Sequence, residues 1–213
     1  MNNSYKIFIT EAKQVISEFP ELQLCIREDS LPFLVGRIKL YSNDGVLYDH
    51  YSVRIDCSNN YPYSFPHVFE TAKRLPYNID WHVYNDGHFC ICTPFEEQIY
   101  CSKGFTLIEF INEQIIPYLH NQSFREREGY FLNERSHGVK GLHESIIQLL
   151  NVKSISEART ILNYIYLNNF PSRTAMCFCG SKRKYRYCHR ESFIRIKRIG
   201  QEKIKRYIEI LRS

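Results

Sequence analysis

Apolar and polar positions alternate along this chain with two different periods. Residues 4–18, SYKIFITEAKQVISE, place Ile7, Ala12, Val15 and Ile16 near helical spacing, and the pattern stops at Phe19-Pro20. The period then shortens to two. LQLCIR at 22–27, FLVGRIKLY at 33–41 and VLYDHYSVRID at 46–56 read as strands, and SNDG at 42–45 joins the last two as a hairpin. In NYPYSFPHVFE, residues 60–70, Pro62 and Pro66 have no N–H for a ladder, so they mark a rigid crossing before a short fourth strand, HVFET. Residues 72–104 show little periodicity and read as an irregular, site-bearing loop. Helical spacing returns at 105–119, with Leu107, Phe110, Ile111 and Ile115 on one stripe and Pro117 expected to kink or end it. Residues 141–150 and 154–168 read as two further helices. In the tail, 191–213, Ile196, Ile199, Ile204, Tyr207 and Leu211 line one helical face. This order predicts an α+β fold with one antiparallel four-strand meander backed by helices.

Composition supports a packed core. Of 213 residues, 44% are hydrophobic and 15% aromatic, which argues against disorder over most of the length. No run approaches eighteen apolar residues and MNNSYK has no leader character, so a cytoplasmic chain with no membrane contact is expected. Eight cysteines in such a chain point to metal binding, catalysis or core packing rather than a disulfide framework. Cys25 and Cys57 fall in strand-like apolar runs and are assigned to the core. Charge is uneven. Residues 171–213 carry 13 Lys/Arg against 3 Asp/Glu, whereas the rest of the chain is acidic on balance. A basic tail on an acidic body suggests two modules, and such a tail suits an acidic protein surface or, less readily, nucleic acid.

The candidate chemistry lies in DGHFCICTPFEEQIYC, residues 86–101, where Cys90, Cys92 and Cys101 follow His82, Gly87 and His88. YPYSFPHV at 61–68 resembles the Tyr-Pro-Phe-x-Pro-Pro-x-Val segment of ubiquitin-conjugating enzymes. His82 followed by Gly87-His88-Phe89-Cys90 resembles that family's His-Pro-Asn stretch and its Gly-x-Ile-Cys catalytic cysteine. NERSHGVKGLHE at 133–144 is similar to bacterial ubiquitin-conjugating-like proteins of CBASS anti-phage operons. The resemblance covers roughly residues 1–150. It implies a ubiquitin-conjugating-like fold and a thioester between a cysteine and the C-terminal glycine of a cGAS/DncV-like nucleotidyltransferase. It also implies that His82 orients the loop. Val83-Tyr84 replace Pro-Asn, so the family's oxyanion-stabilising Asn has only Asn85 as a positional counterpart, and backbone N–H groups near His88 are expected in its place. Gly87, lacking a Cβ, is expected to let the backbone approach a reacting carbonyl.

Three thiols compete for the nucleophile. Cys90 matches the family position. Cys92 shares its face in an extended segment. Cys101 precedes a helix expected near Thr106, whose N-terminus would lower a thiol pKa. A loop metal site from these three and His88 is a further reading, and a surface role for His88 and a turn role for His137 are the plainer ones. The chain has no glycine-rich nucleotide fingerprint, so it is not expected to adenylate a carboxylate itself.

The tail holds a second motif. CFCGSKRKYRYCH, residues 177–189, has the spacing C-x-C-x8-C-H and resembles the SEC-C motif, CxCGSGKKYKxC followed by Cys or His. Cys177, Cys179, Cys188 and His189 are the expected ligands of one structural Zn2+. A segment so short and basic is expected to draw its folding free energy from the metal. Phe178 and Tyr185 are expected to cover the ion, and Lys182-Arg183-Lys184 to form an exposed contact surface. The organisation expected is a ubiquitin-conjugating-like domain over 1–150, a connecting helix over 151–170 and a zinc module with a basic helix over 171–213.

Overall fold

The computed structural model describes residues 3–28, 30–132 and 134–212. Asn133, the first residue of the NERSHGVKGLHE stretch, lies outside them. Contacts divide the chain into two units, residues 1–92 with 104–134 and residues 93–103 with 135–213.

The first unit is α+β. Helix α1 (Asn3–Glu18) buries Phe8, Ala12 and Val15 on one stripe and exposes Lys6, Thr10 and Lys13, as its period requires. The sheet runs β1 (Leu22–Cys25), β2 (Phe33–Tyr41), β3 (Leu47–Asp56) and β4 (His67–Glu70), antiparallel throughout and in sequence order. The hairpin falls at 42–45, where Gly45 takes φ 77° and its N–H donates to the Ser42 carbonyl at 2.9 Å. Tyr51, Val53 and Ile55 of β3 are buried and alternate with half-buried Ser52 and Arg54, so one face turns to the core. Cys57 is buried as expected, whereas Cys25 is only half-buried. Phe8, Tyr61, Phe105 and Phe65 meet edge-on at 5.4–5.6 Å between ring centres.

The helix expected over 105–119 runs on to Glu128. It begins as α3 (Leu107–Phe110), capped reciprocally by Thr106 and Glu109, widens to a π turn at Ile111–Ile115 and continues as α4 (Ile116–Glu128). Pro117 does not end it. Proline has no N–H, and its ring crowds the carbonyl four residues back; the wider turn just before it accommodates both. Gly129, at φ 87°, closes the helix instead.

The second unit is helical. Residues 94–101, expected to be loop, form α2 (Pro94–Cys101), with Thr93 as N-cap, Pro94 in the first turn and Glu96 completing the capping box. It is followed by α5 (Gly138–Leu150) and α6 (Ile155–Leu167). The tail forms α7 (Arg190–Arg198) and α8 (Gln201–Ile210), not one helix, because Gly200 breaks it at φ 91°. Leu142, Ile146 and Leu150 of α5 pack in one core with Ile161, Leu162 and Ile165 of α6, Phe193 and Ile196 of α7, and Ile204, Tyr207 and Leu211 beyond. Residues 171–213 therefore share a hydrophobic core, contrary to the expectation that metal alone would fold them. The packing groups them with 135–170 and α2, with divisions at 92/93, 103/104 and 134/135. Among the described residues, no helix is long and apolar enough to cross a membrane.

Candidate functional site

Cys90 sits at the end of a short segment pinned from two sides. Phe89 N–H donates to the Val68 carbonyl on β4 at 2.8 Å, and Cys90 N–H donates to the His82 carbonyl at 2.7 Å. His82 itself is left-handed, φ 52° and ψ 35°, and caps the 3-10 turn Ile79–Trp81. Helix α4 grips that turn. The Tyr118 hydroxyl donates to the His82 carbonyl at 2.8 Å, Gln122 Nε2 to the Trp81 carbonyl at 2.7 Å, and Arg125 Nη1 to the Asp80 carbonyl at 2.6 Å. His82 thus positions the cysteine through its backbone, while its ring packs on Phe131 at 4.9 Å.

The Cys90 sulfur is half-buried. Burial pushes its pKa up, and a hydrogen bond from the Tyr84 side chain pulls part of the way back. The Tyr84 ring stacks on His88 at 4.3 Å. His88 in turn stacks on His67 at 5.1 Å and bonds Asp86 Oδ1 through Nδ1 at 2.6 Å. Nothing in the sequence marked Tyr84, which stands where the resemblance implies a Pro-Asn pair; only the fold brings its hydroxyl to the sulfur.

Two expectations about this loop are overturned. The backbone N–H groups near His88 are already committed: Gly87 donates to the Tyr84 carbonyl, His88 to Asp86 Oδ1, and Phe89 and Cys90 as above. They are not free donors for an oxyanion. Gly87 makes no room for a reacting carbonyl either. A Cβ there would lie 2.7 Å from Cζ of Tyr77, so glycine is required by that ring and by its φ of 91°. Asn85 is exposed in the same turn.

The other thiols differ. A helix does start at Thr106, but Cys101 closes α2, is 1% exposed, and is pushed up to about 12 by burial and then by Glu97. That thiol stays protonated at neutral pH. Cys57 is likewise pushed up to about 12 by burial. Cys92 is half-buried. Among the described residues the three loop thiols and His88 form no metal cluster.

The four residues expected to bind metal do converge. The ligand atoms of Cys177, Cys179, Cys188 and His189 lie within 4.8 Å of one another. Cys179 Sγ is 3.6 Å from Cys188 Sγ, and His189 Nδ1 is 3.3 and 3.2 Å from the sulfurs of Cys177 and Cys188. A tetrahedral ion with bonds of about 2.3 Å to sulfur and about 2.0 Å to nitrogen needs edges of about 3.8 and 3.5 Å, so the set fits. His189 Nε2 is 3.0 Å from the Leu150 carbonyl. Donation there puts the proton on Nε2 and leaves the Nδ1 lone pair for the metal. Leu150, the last residue of α5, is thus an orienting partner that ligand spacing alone could not reveal. Phe178 stacks on Tyr164 at 4.1 Å and lies 5.6 Å from His189, Tyr185 is buried, and Lys182, Arg183 and Lys184 are exposed.

No family model matches the chain, and no curated protein does. Among solved structures it is similar to the yeast Vps23 UEV domain in complex with a Vps27 PSDP peptide. The TM-score is 0.38 at 11% identity, over 64% of this chain and 86% of that one.

Proposed function

We propose that the chain is a ubiquitin-conjugating-like cysteine acyltransferase and that Cys90 is its nucleophile. One observation carries this reading. Cys90 is a half-buried thiol at the end of a doubly pinned segment, and the Tyr84 side chain acts on its sulfur against the effect of burial. Cys57 and Cys101 are buried and held protonated. The Cys90 thiolate attacks the carbonyl of an activated protein C-terminus. The bond to the outgoing thiolate or phosphate breaks, and a thioester forms. An amine then attacks that thioester, releasing the Cys90 thiolate and leaving an amide. The Tyr84 hydroxyl takes the part of oxyanion donor that the family gives to Asn. A raised pKa lowers the thiolate fraction but strengthens the thiolate as a nucleophile and weakens it as a leaving group, which suits a thioester that must outlast water.

The partner proposed is a cGAS/DncV-like nucleotidyltransferase presenting its C-terminal glycine. Its support is the sequence resemblance at 61–68, 82–90 and 133–144. The ion proposed for Cys177, Cys179, Cys188 and His189 is zinc, on donor chemistry and spacing, in a SEC-C-type module. The activated carboxylate comes from outside the chain.

A second reading, a tethering module with no covalent step, is favoured by one fact: the expected backbone oxyanion donors are already engaged. Intact mass after co-expression with the nucleotidyltransferase separates the two. Transfer predicts a covalent adduct that thiols or hydroxylamine remove, absent from Cys90→Ala and thiol-resistant in Cys90→Ser. An unmodified chain that still co-purifies with the partner, equally well as Cys90→Ala, establishes tethering.

A further inference from the structure

The second unit contains a cleft of about 700 Å3 with a strongly cationic lining. One wall is a face of α7. Arg190, Ile194, Lys197 and Arg198 are four, then three, then one residue apart, so they share a stripe. Phe170 and Arg173, from the segment after α6, line it as well, and so does Tyr185. Arg173, Arg190, Lys197 and Arg198 form no ion pair with a carboxylate of the described residues. Elsewhere on α7, Arg195 is paired with Glu191 at 2.8 Å. Four unneutralised cations in one cleft repel each other, and a bound anion relieves that repulsion.

Two further features narrow the anion. Tyr185 is 1% exposed and its hydroxyl is buried without a hydrogen-bond partner. A buried donor of this kind is costly until an acceptor reaches it. Arg190 stands close enough to act on that hydroxyl electrostatically. Phe170, 61% exposed, keeps one side of its ring open while packing on Phe193 at 5.1 Å. Guanidinium forks match phosphate oxygens, and an open phenyl ring beside them matches a planar base. The volume is that of a small-ligand site.

We infer that this cleft binds a nucleoside 5′-phosphate, with the phosphate on Arg173, Arg190, Arg198 and the Tyr185 hydroxyl and the base on Phe170. The nucleotide is either free or the 5′ end of a strand; the chemistry of recognition is the same. This site is independent of Cys90.

Calorimetry on the full, metal-loaded chain tests it with four probes: AMP, inorganic phosphate, a 5′-phosphorylated tetra-adenylate and the same strand with a 5′-hydroxyl. AMP or the phosphorylated strand binds, and inorganic phosphate binds more weakly. Equal affinity for AMP and the phosphorylated strand identifies the free nucleotide; preference for the strand identifies its end. Phe170→Ala, at an exposed position, weakens the nucleotide about ten-fold without changing affinity for inorganic phosphate. Arg190→Gln with Arg198→Gln weakens both by at least about ten-fold. Circular dichroism and metal content of these variants match the parent. The inference is overturned if neither AMP nor the phosphorylated strand binds below about 1 mM, or if the 5′-hydroxyl strand binds as tightly as the phosphorylated one. It is also overturned if an Asp/Glu peptide outbinds AMP, or if Phe170→Ala leaves AMP affinity intact.

Discussion

Replacing Asp49 by Asn should loosen the clamp behind Cys90 and do so in a pH-dependent way. Asp49, on β3, accepts hydrogen bonds from both terminal nitrogens of Arg74 at 2.8 Å, from Ser123 Oγ at 2.6 Å and from the His50 N–H at 2.8 Å. Arg74 also bonds Glu126 Oε1 at 2.9 Å and stacks over Tyr51 at 4.1 Å, so this cluster ties β3 to α4. Burial pushes the Asp49 carboxyl up, but Arg74, Ser123 and the His50 amide outweigh it and hold it at about 2 in place of 3.8. That difference is worth about 2.4 kcal/mol. The side chain is 16% exposed and its Arg74 partner 33%, and screening by solvent reduces the figure to about 1–2 kcal/mol. The folded pKa is the depressed one, so the stabilisation is fully present above about pH 4 and drains away as pH falls toward 2. Trp81, the sole tryptophan, lies in the 3-10 turn that α4 holds, and its fluorescence reports on this unit. Urea titration followed by Trp81 should find Asp49→Asn less stable than the parent by about 1–2 kcal/mol at pH 7. The gap should close as the pH approaches 2. Equal midpoints at pH 7, or a gap unchanged at low pH, would refute the linkage.

Iodoacetamide at pH 8 should label Cys90 at least about ten-fold faster than Cys101, read by peptide mass spectrometry, because Cys101 is 1% exposed and held at about 12. Comparable rates would contradict that burial. Gly141→Ala should destabilise the second unit by about 1–3 kcal/mol or more, since the added Cβ would sit 1.8 Å from the Ser136 carbonyl oxygen. A thermal melt indistinguishable from the parent would show that the start of α5 relaxes freely. Metal analysis should return one ion per chain, and a chelator should strip hydrogen-exchange protection from residues 175–198. Protection that survives complete metal loss would mean that the shared core suffices.

The periodic parts of the chain were legible because burial on one face writes itself into spacing. The strands, the 42–45 hairpin, α1 and the helices near 141–150 and 154–168 all appear close to where their patterns put them. The cluster of Cys177, Cys179, Cys188 and His189 was legible for a similar reason, since thiols two apart and a Cys-His pair nine residues on leave few other uses. Helix α2 was readable in part: Thr93, Pro94 and Glu96 form a capping signature. Its eight residues are too few to write a clear period into 72–104, so the segment reads as loop. The π turn before Pro117 was not readable, since a proline marks only where the ladder must yield and not how.

Sequence alone fixed which residues have sulfur, charge and aromatic rings to offer, and the order of the helices and strands that present them. What surrounds each group came only from tertiary packing. Cys90 and Cys101 are both cysteines in one short stretch. One ends half-buried near a phenol and the other fully buried at a helix end, because desolvation depends on neighbours distant in sequence. The Leu150 carbonyl behind His189 and the cationic cleft against Phe170 have the same origin. They are juxtapositions across tens of residues, set by how helices pack, and local periodicity carries no record of them.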